Sequence, residues 1–346
     1  MKRFVLPVTF LISVMAWAVV AAVPPPRTLE IYFIDVEGGQ STLLLTPDGE
    51  SLLIDAGYAR NGRDAERILA VAREAGLEHL DYLLVTHYHP DHVGGVPGVA
   101  SKLPVGTFID YGAPLGIDRM TTGGFLAYEP VRALGRHIEA RPGEQLPLKG
   151  LEAVIVSAGG ALLSKPLHGA GEKNAACGTV EDFAEDGTEN YRSVGVMFRF
   201  GAFRFLDLGD LSGNTLTGLA CPKDLLGTVS AFLIAHHGAY DSNVPALYTA
   251  LRPQVAIMNN GVTRGGAPVT FATLHAQVGM DLWQLHASQN PGAENAPEPF
   301  IANLDDGTTA FWLKLTASED GSFRIVNGRT GLTRHYAPRP GADRRR

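Results

Sequence analysis

The stretch Thr86-His87-Tyr88-His89-Pro90-Asp91-His92-Val93-Gly94-Gly95 puts three histidines and a carboxylate within six consecutive positions, directly after the apolar run Tyr82-Leu83-Leu84-Val85. With 11 histidines in 346 residues, composition alone does not produce such a cluster. A strand that ends in four donors is built for a cation rather than for a turn. Neutral imidazole and carboxylate suit zinc, and also manganese or iron. The spacing His-x-His-x-Asp-His lets one loop offer His87 and His89 to a first cation while Asp91 and His92 face a second.

Other apolar strands flank this one. Leu29 to Val36 and Ser41 to Leu45 read as strands about the turn Glu37-Gly38-Gly39-Gln40, and Thr46-Pro47-Asp48-Gly49 reverses the chain into Ser51-Leu52-Leu53-Ile54. That strand stops at Asp55-Ala56-Gly57. Ala65, Ile68, Leu69 and Ala72 recur at helical spacing, with Gly76 placed to end the helix. Further on, Val105 to Tyr111, Ala153 to Val156, Ser193 to Phe200 and Phe203 to Leu208 read as strands, the last ending at Gly209-Asp210. Val229 to Ala235 ends at His236-His237-Gly238, Val255 to Met258 and Leu282 to His286 follow, and Ala310 to Ala317 pairs with Ser322 to Val326 about Asp320-Gly321. Helices are expected around Pro245 to Leu251 and Phe271 to Val278.

Hydrophobic residues at 45% and charged residues at 19% describe an ordinary globular chain. Lys2 and Arg3 precede an apolar run from Phe4 to Val20, then Ala21-Ala22, the layout of a secretory signal over residues 1–22, with an uncleaved anchor as the alternative. Either places the rest of the chain in the periplasm or outside the cell. Losing Lys2 and Arg3 takes the formal charge from −7 to −9. That balance argues against a stable nucleic-acid groove, which needs Lys and Arg to neutralise phosphates, and the short Arg344-Arg345-Arg346 end does not reverse it. Cys177 and Cys221 are the only cysteines, and either a disulfide or two buried thiols is compatible with their spacing.

Three places thus share one description, an apolar strand stopping at metal-type donors: His87 to His92, Gly209-Asp210 and His236-His237. With Asp55 after Leu52-Leu53-Ile54, this order of motifs resembles the metallo-β-lactamase superfamily. The resemblance implies an α/β fold, an αββα sandwich with a metal site at one edge. It spans the chain as a single domain over 23–346, with a loop-rich insertion at about 112–189. Within the superfamily the chain is similar to the hydrolase domain of ComEC-type competence proteins and their free-standing secreted relatives. The shared features are Asp35-Val36 with Gly39 and Ser41, Leu53 to Gly57, Thr86 to Gly95, Asn190-x-x-Ser193, Leu208-Gly209-Asp210 and His236-His237-Gly238.

Carried onto these positions, the resemblance implies that His87 and His89 bind one cation. Asp91, His92 and one of His236 or His237 bind another, and Asp210 bridges the two. His237 is the expected ligand, and His236 then joins Asp91 and Asp210 as a catalytic group that touches substrate or steadies a ligand. Asp55 is expected to orient a ligand imidazole from behind. Asn190 stands where many relatives carry another histidine, a place His168 is a candidate to fill; His286 is expected to have no ligand role. Tyr88, Tyr111 and Tyr240 are candidates to line the pocket.

The implied cofactor is a divalent metal, two Zn2+ with Mn2+ as the alternative. The implied activity is a secreted metal-dependent hydrolase working through a hydroxide that bridges the cations, on a phosphoester or phosphodiester. The expected partner is a small-molecule or phosphoester substrate, with no integral membrane domain beyond the signal segment. Three departures weaken a direct transfer of nuclease activity: Gln40 replaces an acidic residue, Gly266-Ala267-Pro268 lacks a histidine before its proline, and Leu285-His286 replaces a more polar strand end. A carbon-ester, lactone or β-lactam hydrolase is the rival activity, and a non-catalytic secreted binding module the rival class.

Overall fold

Strand side chains alternate between the two faces of a sheet, and here that alternation sorts the apolar residues into two layers. In a computed structural model, which describes residue 1 and residues 27–114, 118–179, 183, 187–305 and 309–339, two sheets stack face to face. The expected signal segment beyond Met1 and the arginine end at 344–346 lie outside the described residues. The first sheet begins with β1 (Leu29–Phe33), β2 (Thr42–Leu45), β3 (Ser51–Ile54), β4 (Leu80–Leu84), β5 (Val105–Asp110) and β6 (Arg136–Glu139). The second consists of β7 (Glu152–Ala158), β8 (Ala161–Leu162), β9 (Gly195–Phe200), β10 (Phe203–Asp207), β11 (Ala231–Leu233), β12 (Val255–Met258), β13 (Asp281–His286) and β14 (Ile301–Asn303). β15 (Leu313–Ala317), β16 (Phe323–Asn327) and β17 (Thr333–Tyr336) then return to the first.

The spatial orders are β17-β16-β15-β1-β2-β3-β4-β5-β6 and β14-β13-β12-β11-β10-β9-β7-β8. β3 to β6 run parallel, as do β10 to β14. Phe203, Phe205, Ala231, Leu233, Val255 and Ile257 point inward to the core between the sheets. Leu206, Phe232, Ala256 and Met258, their neighbours in sequence, point outward. Across the core, Phe33 of β1 meets Phe205 of β10 edge to face, ring centres 5.7 Å apart.

Helices cover both outer faces. They are α1 (Arg63–Glu74), α2 (Pro90–Val93), α3 (Val96–Ala100), α4 (Arg119–Arg132), α5 (Gly213–Ala220), α6 (Pro245–Leu251) and α7 (Pro268–His275). α1 buries Ala65, Ile68, Leu69 and Ala72 on one stripe and ends at Gly76 in a left-handed conformation. α5, α6 and α7 bury Leu216, Leu219, Leu247, Leu251 and Phe271 against the second sheet. The expected αββα sandwich is therefore present. Among the described residues, no helix is long and apolar enough to cross a membrane.

The structure departs from the expected element pattern in specific places. The stretch 112–189, expected to be loop-rich, carries α4, β6, β7 and β8. α4 is masked in sequence by Gly123, Gly124 and Pro130, and its start is fixed by Asp118, whose carboxylate accepts the Met120 and Thr121 N–H groups at 3.0 and 2.8 Å. α7 begins at Pro268, earlier than expected, because proline fits the first helical turn. β6 and β17 are polar edge strands with little apolar alternation.

Cys177 and Cys221 form a disulfide that joins the segment 175–179 to the end of α5 across 44 residues. Closing a loop of that length removes about 4 kcal/mol of unfolded-chain entropy in the chain-entropy model. The double substitution Cys177→Ser/Cys221→Ser should therefore lower the unfolding free energy by about 2–4 kcal/mol. Denaturant unfolding of the oxidised wild type and the variant measures this, and coincident midpoints would show that the bond does not constrain the unfolded chain.

Candidate metal centre

Four strands deliver the site, each from its carboxyl end, at one edge of the sandwich. β3 leads to Asp55, β4 to Thr86 and the histidine loop, β10 to Asp210, and β11 to His236-His237. In sheets of parallel strands this is the edge at which loops diverge and leave a crevice. The two sheets are tied together there, where the Val194 N–H beside β9 donates to the Thr86 carbonyl after β4 at 2.9 Å, and the loops of each sheet are also tied among themselves. The Gln40 N–H donates to the Asp91 carbonyl at 3.1 Å, the Ala56 N–H to the His92 carbonyl at 2.7 Å, and the His236 N–H to the Gly209 carbonyl at 3.1 Å. The glycines of the motif serve this closeness: a Cβ at Gly95 would lie 2.0 Å from the Ala56 oxygen, and one at Gly39 2.4 Å from the Asp91 oxygen.

Asp210 is at the centre, fully buried. Its Oδ2 lies 3.1 Å from His92 Nε2, 3.3 Å from His237 Nε2, 3.8 Å from His236 Nε2 and 3.9 Å from His87 Nε2. Asp91, His92, Asp210 and His237 each offer a ligand atom within 4.8 Å of the others. His87 Nε2 also lies 3.0 Å from His89 Nδ1. Both Asp210 oxygens, His92 Nε2 and both His237 nitrogens are buried with no hydrogen-bond partner. Such groups are costly in an apolar interior unless something fills their coordination. A divalent cation between carboxylate and imidazole fits that need, so the donor set passes the test of fit for the metal its fold implies.

Outer partners fix the ligands. Asp55, in a left-handed conformation (φ 57°), accepts the Thr86 N–H at 2.8 Å and the Thr86 hydroxyl at 2.7 Å, and its Oδ2 lies 2.7 Å from His92 Nδ1. That leaves His92 Nε2 facing Asp210, the arrangement in which a carboxylate orients a ligand imidazole. His237 lies with Asp91 and His92. His236 instead sits beside Asn190, whose Nδ2 is 3.3 Å from His236 Nε2, while Asp241 Oδ1 is 2.8 Å from His236 Nδ1.

Charge follows geometry. Burial would raise the Asp210 carboxyl, but His237, His92 and His236 hold it well below the usual carboxylate range. Burial likewise opposes ionisation of Asp91, and the His237 contact, His92 and Arg264 overcome it. Burial and the neighbouring His92 push His87 well below the ordinary histidine value, keeping it in the neutral form a ligand needs.

Several residues lie elsewhere. His168 lines a separate cleft of about 600 Å³ with Arg199, Arg204 and Arg339, so it does not fill the place beside Asn190. His286 is buried with its Nε2 2.9 Å from Asp35 Oδ1, and Asp35 also pairs with Arg67 at 2.9 Å. The Tyr88 hydroxyl donates to the Gly112 carbonyl and that of Tyr111 to Glu189, so both brace the wall, whereas Tyr240 is exposed. Two groups escaped the sequence reading. Arg264 pairs with Asp91 from a glycine-rich turn, where a lone cation looks like a solvated side chain. Asp241 follows His236 by five residues, and that short spacing was the available signal.

Gln40, in place of an acid, has a structural partner as well. Its Nε2 lies 3.0 and 3.1 Å from the two oxygens of the buried Asp207, which also accepts the Gly209 N–H at 3.0 Å. A carboxylate at position 40 would face a second one across that distance.

The chain is similar to several known proteins. Residues 35–116 match the family model described as Metallo-beta-lactamase superfamily. The chain is 35% identical over 106 residues to a hydroxyacylglutathione hydrolase of Stenotrophomonas maltophilia, covering 29% of this chain and 37% of that one. It is 35% identical over 75 residues to a metal-dependent hydrolase of Herpetosiphon aurantiacus, covering 21% and 29%. The chain thus spans about a third of the length of the curated relatives it matches. Igni18, a metallo hydrolase of Ignicoccus hospitalis, is similar at 14% identity and a TM-score of 0.43, over 77% of this chain and 96% of that one. The fold is a two-sheet α/β sandwich with a His/Asp centre at one edge. The metallo-β-lactamase superfamily is supported for this chain by the family model, over the segment that holds Asp35, Asp55 and all of His87 to His92.

Burial pushes the Asp207 carboxyl up to about 7. Its value in an unfolded chain is about 4, so the folded state binds this proton more tightly, and stability is lost as pH rises from about 4 through about 7. Asp207→Asn, which keeps an oxygen for Gln40 and Gly209, should flatten that decline in metal-free protein. Thermal melts of wild type and variant across this window decide it, and identical slopes would refute the assignment.

Proposed function

We propose that this chain is a secreted metal-dependent hydrolase acting on phosphoester or phosphodiester bonds of small molecules. The observation that carries the reading is the buried Asp210 carboxylate, which has no hydrogen-bond donor and faces imidazoles from two strand ends. His87 and His89 would hold one cation, Asp91, His92 and His237 the other, with Asp210 common to both. Two Zn2+ suit these donors, and Mn2+ is the alternative. Bound cations supply Lewis acidity and a water of lowered pKa.

The chain's own groups do the rest. Asp91, held ionised, is able to orient an attacking water. Arg264, on Asp91 and 42% exposed, offers a guanidinium to an anionic oxygen of the substrate. Ser193 is not free to act as a nucleophile, because its hydroxyl accepts the Asp210 N–H at 3.1 Å and lies 3.4 Å from His87 Nδ1. Export is supported by Lys2-Arg3, the apolar run and Ala21-Ala22, and by a disulfide suited to an oxidising compartment. Kinship with competence-type hydrolases is supported by the order of motifs from Asp35-Val36 to His236-His237-Gly238. The acidic charge speaks for a small substrate rather than a nucleic-acid groove. A second reading, carbon-ester or thioester hydrolysis, is favoured by the likeness to a hydroxyacylglutathione hydrolase.

Metal-loaded wild type should hydrolyse bis-p-nitrophenyl phosphate. Loss of an outer partner of a metal ligand costs about 10–100-fold, so His87→Ala and Asp210→Ala should each cost more than about 100-fold. Arg264→Ala should raise KM for the phosphodiester by about 10-fold and impair neutral p-nitrophenyl acetate less, through its contact with Asp91 alone. Turnover of acetate, lactone or thioester substrates alone would select the second reading. A wild type that binds neither zinc nor manganese would end both.

A further inference from the structure

We infer that His236 is the third imidazole of the cation position held by His87 and His89, doing the work that Asn190 leaves undone, so that two adjacent histidines serve two different cations. This rests on reading the centre as a metal site.

The donors around Asp210 divide unevenly once the compact set is removed. Asp91, His92 and His237 cluster with Asp210. What remains is three imidazoles, those of His87, His89 and His236, with His87 Nε2 and His236 Nε2 at nearly equal distances, 3.9 and 3.8 Å, from Asp210 Oδ2. Three histidines complete a zinc site that keeps a position open for water.

His236 is also prepared as a ligand. Asp241 Oδ1 sits 2.8 Å from its Nδ1, so the proton belongs on Nδ1 and the lone pair on Nε2. That Nε2 faces the centre, and its neighbour there is the Asn190 carboxamide at 3.3 Å. Asp241 thus does for His236 what Asp55 does for His92.

The backbone explains how two neighbours can both reach Asp210. His236 and His237 are both left-handed, with φ of 48° and 55°. For non-glycine residues this costs roughly 1–2 kcal/mol each. Extended strand geometry would send the two rings to opposite faces; here the Nε2 atoms of both approach Asp210 Oδ2, at 3.8 and 3.3 Å. Surrounding hydrogen bonds hold the strain: the Ala239 N–H to the His236 carbonyl at 2.8 Å, and the Gly266 N–H to the His237 carbonyl at 2.9 Å.

Cobalt(II) binding to the mature protein tests this without recourse to turnover, by metal content after gel filtration and by the d–d absorption of the bound ion. Wild type should hold two equivalents. His236→Ala should keep the Asp91/His92/His237 position and fall to about one equivalent, with altered d–d bands. Asp241→Asn should still reach two, but with the weaker position loosened about 10–100-fold. Asn190→Ala should hold two at near wild-type affinity. Circular dichroism of the metal-free forms confirms that each variant is folded. Two equivalents at unchanged affinity in His236→Ala, loss of one equivalent in Asn190→Ala instead, or loss of both from folded His236→Ala would each overturn the assignment. A wild type that binds no cobalt would remove the metal reading itself, and this inference with it.

Discussion

Taking the Asp210 carboxylate out of water costs several kcal/mol unless opposite charge or hydrogen bonds replace the solvent, and the whole edge of the sandwich is arranged around that requirement. Neither Asp210 oxygen has a hydrogen-bond donor. Four imidazoles approach Oδ2 within 3.9 Å. They arrive from two strand ends, which are fixed in turn by Asp55, Thr86 and the backbone bonds between the sheets. The apolar core supplies the rigidity that keeps these groups from relaxing apart. A cation resolves the conflict that the fold creates.

Much of this was legible in the sequence, because strands that end abruptly in donors leave a plain signature. Tyr82 to Val85, Phe203 to Leu208 and Val229 to Ala235 each lead into residues gathered at the centre, and Asp55, placed behind a ligand imidazole by the family resemblance, lies against His92 Nδ1. What was not legible has physical causes. Adjacent side chains normally diverge, so His236 and His237 cannot be told apart until their left-handed backbone is seen. Arg264 matters only through Asp91, 173 positions earlier in the chain. α4 hides behind Gly123, Gly124 and Pro130, since local propensity opposes a helix that packing and the Asp118 cap enforce. The cysteine pair depended on a distance that spacing does not give.

Gln40 shows how a departure from a family pattern can be compensated within one chain. Its amide holds the buried Asp207, and Asn259 Nδ2 lies 3.4 Å from its Oε1. Asp207 in turn fixes the Gly209 N–H, one residue before Asp210. An acidic side chain at position 40 would bring a second carboxylate against Asp207 in a water-poor layer. The substitution is thus part of the scaffold behind the Asp210 carboxylate, and by itself it says nothing about loss of catalysis.

The site is assembled from opposite halves of the chain. Asp91 and Arg264 are 173 residues apart, Gln40 and Asp207 167, and Ser193 and His87 106. Contacts of such high order form late, after the entropy of closing long loops has been met. A segment carrying only His87 to His92 has neither Asp210 nor His237, whatever its sequence promises. Affinity for a cation is therefore a property of the closed sandwich, and by mass action the ion favours the closed state over every partly docked one. In this protein, occupancy of the centre reports that the two sheets have met.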